Sequence, residues 1–277
     1  MKFFSGSFLF PVLIQLIISN TVFSQKYPPF TVFQEQWVDS VMSAMTLEEK
    51  VGQLFMVEAY SNRDSTHAQE IKTLIREYNI GGLIFFQGGP VRQAALTNEY
   101  QALSRIPLLI AMDAEWGVGM RLDSTIRYPY QMALGAVQDE KLIYEMGADI
   151  ASQFHRLGMH VNFAPVVDVN NNAKNPVINF RSFGEIKENV AAKGSAYMRG
   201  LQDHGILACG KHFPGHGDTD VDSHQDLPVI PHSFDRLNDV ELYPFKKLIR
   251  EGLGSIMVAH LNIPALAPAP GQASTLS

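Results

Sequence analysis

Six short apolar runs, at residues 54–57, 80–86, 107–112, 160–164, 206–210 and 255–259, alternate with amphipathic stretches of helical length. Those stretches lie at 65–78, 91–105, 139–157, 185–204 and 236–251, and this alternation constrains the fold more than any other feature of the chain. Runs of continuous apolar residues separated by helices predict parallel strands covered by helices, in either a closed (β/α)8 barrel or an open doubly wound sheet. A further helix is predicted over 34–45. Thr46-Leu47-Glu48-Glu49 then has the spacing of a capping box that starts another.

Polar residues collect immediately after the apolar runs: Asp113, Asp168, the pair Lys211-His212, and His260. In a (β/α)8 barrel the active site is built at the carboxyl ends of the strands, so polar groups gathered there from separate strands read as one pocket. An open sheet with a nucleotide site would show a glycine-rich loop after its first strand. Gly117-Val118-Gly119 follows the third run and lacks the rest of that fingerprint.

The net charge of -6 gives no basic footprint, which argues against nucleic acid as a partner. Residues 1–24 read as a signal peptide: Lys2, an apolar stretch to Ile18 and the small-residue pattern Val22-Phe23-Ser24. The stretch is too short to span a bilayer and carries Gln15, so an exported protein, periplasmic or secreted, is expected, with no membrane association after cleavage. The sole cysteine, Cys209, sits in an apolar run, where a buried inert thiol is the default. Residues 264–270 are rich in proline and alanine, as either a linker to a further C-terminal domain or a long loop.

The segment from Lys211 to His224 crowds a lysine, three histidines and several carboxylates onto a glycine-broken loop. Such a loop can bind a metal, supply acid-base catalysis with substrate hydrogen bonds, or be a solvated turn. Pro214, Gly215 and Gly217 would break the helix that sets residues four apart on one face, which disfavours a metal held by His212 and His216. The Lys-His pair abuts an apolar run and would be costly to desolvate without polar partners.

Lys211-His212-Phe213-Pro214-Gly215-His216-Gly217, followed by Asp222-Ser223-His224, resembles the loop of the family 3 glycoside hydrolases that release β-linked N-acetylglucosamine, the NagZ-like group. Met45 to Leu54, Gly81-Gly82-Leu83-Ile84, Asp113-Ala114-Glu115-Trp116-Gly117, Phe163 to Val169 and Arg181-Ser182-Phe183-Gly184 match in order. The resemblance implies a (β/α)8 TIM-like barrel over 25–277 and a retaining double displacement with no metal or cofactor. It implies sugar contacts from Asp113, Arg181, Lys211 and His212, with His224 as general acid/base paired with Asp222. Asp168 is expected either to support a sugar-contacting side chain or to fix the loop, and Trp116 either stacks on a sugar or packs at the barrel rim.

The same resemblance places the nucleophile on an aspartate after the seventh strand, beyond a segment of the Ala-Ser-Leu-Ser type. This sequence ends at 271–277, so the expectation is a barrel truncated after about six strands and lacking its nucleophile. Muropeptides or chito-oligosaccharides are the implied substrates. The competing functions are a family 3 β-glucosidase, against which Asp222-Ser223-His224 argues, and an inactive sugar-binding fragment.

Overall fold

The computed structural model describes residues 35–222, 226–266 and 271–276. The expected leader and His224 lie outside them. The elements run α1 (Glu35–Ser43), α2 (Leu47–Gly52), β1 (Met56–Ala59), α3 (Ser65–Tyr78), β2 (Gly82–Phe85), α4 (Pro90–Leu103), β3 (Leu109–Met112), α5 (Gln131–Gly135) and α6 (Glu140–Arg156). They continue with β4 (Val161–Asn162), α7 (Lys187–Gln202), β5 (Leu207–Phe213), α8 (Phe234–Asp239), α9 (Leu242–Arg250) and β6 (Ser255–Val258).

The six described strands are all parallel and pair in chain order from β1 to β6. This is the arrangement of six successive units of a (β/α)8 barrel, a sheet curling toward closure, and not the reordered sheet of a doubly wound fold. The core lies between strands and helices, on Leu83, Phe85, Ile110, Met112, Ala208 and the inner faces of α6 and α7. Gly147 of α6 lets α7 come close: a Cβ there would lie 3.1 Å from the Gly200 Cα. A smaller apolar cluster of Ile230, Leu237, Ala259, Leu261 and Ile263 sits under the loop that follows β5.

The capping box forms as spaced, with Glu49 N–H donating to Thr46 Oγ1 at 3.2 Å and Thr46 N–H donating to the Glu49 carboxylate at 2.9 Å. Three boundaries differ from the sequence reading. β5 runs on to Phe213, so Lys211 and His212 lie on the strand itself and not after it. The apolar run at 160–164 yields only a two-residue strand, because Pro165 has no N–H to give to the ladder. The helix expected over 236–251 breaks at Val240 and Glu241, where Pro244 cannot donate to the carbonyl four residues before it. No described helix is long and apolar enough to cross a membrane.

Candidate active site

β3 and β5 are neighbours of β4 on either side, and their carboxyl ends bring together residues far apart in the chain. Asp113, one residue past β3, accepts from Lys211 Nζ at 2.7 Å on one oxygen and from Arg121 at 2.8 Å on the other. Lys211, 2% exposed, also lies 2.8 Å from Glu115 Oε1. Arg181, on a short 3-10 turn at Asn179–Arg181, grips Glu115 through Nη2 at 2.7 Å and Nε at 3.0 Å. The expected sugar ligands therefore share one network, but Asp113 and Arg181 are not each other's partners: Glu115 stands between the two cations.

The network continues through His212. Arg181 Nη2 lies 3.2 Å from His212 Nε2, and a guanidinium can only donate. His212 Nε2 is therefore the acceptor, and Nδ1 carries the proton and donates to Asp168 Oδ2 at 2.7 Å. Asp168 is fully buried and also takes the backbone N–H groups of His212, at 3.1 Å, and His216, at 2.7 Å. It fixes both the imidazole and the start of the loop. Gln131 anchors the same region by donating to the carbonyls of Val166 and Arg181 at 2.9 and 2.7 Å.

Charges this deeply buried must be paired to persist. Burial pushes the Asp113 carboxyl up, but Lys211 and Arg121 outweigh it and hold it below its ordinary value. Burial also opposes ionisation of Glu115 and Asp168, yet the two cations hold Glu115 far below the usual carboxylate range, and His212 with the loop N–H groups lowers Asp168. Lys211 is raised, because Glu115 and Asp113 overcome its burial. For His212 burial wins over the adjacent Asp168, so the ring stays neutral, in agreement with the tautomer assigned from geometry.

Beyond β5 the loop is pinned from several sides. His216 is buried, its Nδ1 2.6 Å from Thr219 Oγ1, and Asn175 donates to the His216 carbonyl at 2.8 Å. Gly217 is required where the loop crosses the chain after β4, since a Cβ there would meet the Val169 carbonyl oxygen at 1.8 Å. Asp218, His232 and Glu241 bring ligand atoms within 4.8 Å of one another, the spacing a metal would need. A guanidinium already supplies the cation: Arg236 Nη1 lies 2.7 Å from both Glu241 oxygens, and its Nη2 lies 4.0 Å from Asp218. His216 and His212 do not converge on this group. Asp222 belongs to the same loop, and its expected partner His224 lies outside the described residues.

Trp116 takes the rim-packing alternative, and His260 stands apart from the mouth. Trp116 is 9% exposed and meets Tyr130 edge to face at 4.7 Å, so it packs into the rim with Phe180 alongside. His260 bonds Thr275 at 2.8 Å and joins none of the charged residues at the mouth. Cys209 is buried, and burial pushes its thiol up. Glu115 and Arg121 carry the network without having been singled out in the sequence. Glu115 is two residues from Asp113, and alternation along extended chain puts such residues on one side, which is the signal that could have found it. Shape is a poor guide here: a groove of about 560 Å³ lies beside β1, lined by Leu47, Val51, Phe55, Leu74 and Tyr78 and by none of these charges.

Buried charges at the carboxyl ends of consecutive parallel strands define an enzyme-like barrel with a polar mouth, and comparison with known proteins places it. Residues 46–276 match the glycosyl hydrolase family 3 N terminal domain, and the chain belongs to that family. It is similar to β-hexosaminidase A of Pseudoalteromonas piscicida, 39% identical over 216 residues that cover 73% of this chain and 36% of that protein. Its fold is similar to a family 3 β-N-acetylglucosaminidase from Paenibacillus sp., with a TM-score of 0.77, 42% identity and coverage of 82% of this chain and 44% of that one. The structure of NagZ from Neisseria gonorrhoeae in complex with N-trifluoroacetyl-D-glucosamine matches with a TM-score of 0.67 and 32% identity, covering 76% of this chain and 65% of that one. The chain spans 36% to 61% of the length of the first curated relatives it matches.

Proposed function

We propose that this chain is the sugar-binding and acid-base part of a retaining hydrolase that releases β-linked N-acetylglucosamine. One observation carries the reading: the mouth is charge-balanced yet holds unused hydrogen-bonding groups. Three cations (Arg121, Arg181, Lys211) face three carboxylates (Asp113, Glu115, Asp168), and His212 is neutral. Such a site suits an uncharged polyhydroxylated ring rather than a phosphate or a nucleic acid. In the bonds described, Lys211 keeps one N–H and Arg181 one Nη1 N–H, and the Asp113 oxygens retain lone pairs. Those groups can hold vicinal hydroxyls through charge-assisted bonds.

In this reading His224, steadied by Asp222, protonates the departing glycosidic oxygen while a carboxylate attacks the anomeric carbon. It then takes a proton from the water that releases the sugar. Asp113, Glu115 and Asp168 are each committed to cations or backbone N–H groups, so none of them is assigned as that nucleophile. The β-hexosaminidase names of the relatives support the acetamido sugar, and Asp222-Ser223-His224 separates this reading from a family 3 β-glucosidase. Muropeptides or chito-oligosaccharides, met after export, are the proposed substrates.

The test is turnover of matched aryl N-acetylglucosaminides and glucosides by the intact protein and by His224→Ala. The N-acetylglucosaminide is expected to be preferred. The variant is expected to lose roughly 10²- to 10⁴-fold on poor leaving groups and far less on activated ones. Equal losses on both would remove His224 from the proton-transfer role.

A further inference from the structure

We propose that Glu115 is a positioning residue for the sugar-binding cations, holding Lys211 and Arg181 on a shared carboxylate so that both keep N–H groups for the ligand. This inference rests on the sugar-binding reading above. Glu115 is fully buried, and its Oε1 takes Lys211 at 2.8 Å and Arg181 at 2.7 Å, while Oε2 takes Arg181 Nε at 3.0 Å. Lys211 comes from β5 and Arg181 from the turn at Asn179–Arg181, so no local structure sets their separation. Two cations drawn to one oxygen would repel each other without it.

Stability alone does not account for the charge, because a buried ion pair is often matched or bettered by apolar residues of similar volume. The position has a further consequence. Glu115 is one of the three anions that bring the mouth to zero net charge, and the one shared by two cations. Without it the same pocket carries an excess positive charge, with Lys211 left to Asp113 alone and Arg181 to the Val177 carbonyl and His212. Such a pocket would favour anions over an uncharged sugar.

Glu115→Gln keeps the shape and removes the charge. By calorimetric titration, its affinity for N-acetylglucosamine is expected to fall roughly tenfold to a hundredfold, the loss that goes with a displaced hydrogen bond to a charged group. Inorganic phosphate is expected to bind the variant and to compete with the sugar, and not to bind the unmodified chain. Unchanged sugar affinity would overturn the proposal, with or without phosphate binding.

Should the variant fail to fold, the unmodified chain still decides. The Lys211 ammonium, assigned in ¹⁵N spectra by its loss in Lys211→Arg, is expected to keep its proton at a pH where exposed lysines have lost theirs. Titration of Lys211 together with the exposed lysines would overturn the proposal. If the unmodified chain binds no N-acetylglucosamine, the sugar-binding reading falls, while the phosphate and lysine measurements still judge Glu115.

Discussion

The network of charges at the mouth and the one at the root of the loop after β5 differ in where their members come from. At the mouth, Lys211, Arg181 and Arg121 bind Asp113 and Glu115 and still have donors to offer. At the loop root, Asp218, His232, Arg236 and Glu241 all come from the stretch after β5, with Asn171 alongside. His232 bonds Asp218 at 2.7 Å, Arg236 Nη1 lies between the two Glu241 oxygens, and Asn171 donates to Glu241 at 3.3 Å. Both contain a carboxylate that is almost fully buried, and by residue type the loop-root network has more of the character of a metal or catalytic site. The mouth is the one assembled at the carboxyl ends of neighbouring strands, from the end of β3, the segment after β4, and β5. Position at the strand ends, not the density of charge, marks the site.

Breaking the mouth should cost both stability and binding. Lys211→Met leaves Asp113 and Glu115 short of a partner, and removal of one member of a buried ion network costs about 3–5 kcal/mol. Urea unfolding is expected to show that loss, and sugar titration is expected to show no binding. If the variant unfolds like the parent, the network is not the closed electrostatic unit described.

Acid should expose the same network next. His212 is held neutral below its ordinary value of 6.5, and Asp113, Glu115 and Asp168 are held ionised below ordinary values of 3.8 or 4.5. In each case the unfolded chain binds more protons, so stability is full above pH 6.5 and is lost as pH falls, first through the histidine range and then through the carboxylate range. Lys211 has the opposite sign: its raised value gives stability that is lost only at alkaline pH, above the ordinary 10.5. A melting temperature that stays flat between about pH 7 and pH 4 would contradict this.

The loop-root network should separate the two properties. Arg236→Met strands Glu241, which is 2% exposed, and is expected to cost about 1–3 kcal/mol while leaving affinity for N-acetylglucosamine unchanged. A parallel loss of affinity would mean that the two networks are coupled through the loop. Trp116→Phe should have the smallest effect: about 1 kcal/mol from the weakened contact with Tyr130, with sugar affinity within about twofold. A tenfold loss of affinity would return Trp116 to the sugar face.

Much of the fold was legible because periodicity is local. The six apolar runs became the six described strands, and their carboxyl-end polar residues, His260 apart, gather at one mouth. Boundaries were less legible: β5 continues through Lys211 and His212 because Asp113 and Glu115 compensate the lysine charge and Asp168 accepts from the neutral imidazole. Pairing was not legible at all. Asp113, Arg181, Lys211 and His212 could be named, but that Glu115 joins Lys211 to Arg181, and that Arg121 takes the other Asp113 oxygen, depends on contacts between residues up to 98 apart in sequence. Trp116 was undecided for the same reason, since its partners Tyr130 and Phe180 come from other loops.

The most direct test of a charge-balanced mouth built for an uncharged sugar is a pair of calorimetric titrations, N-acetylglucosamine into the unmodified chain and into Lys211→Met. Binding in the unmodified chain and none in the variant is the expected result. Equal affinity in both would show that the sugar does not meet Lys211, and that the mouth network is structural only.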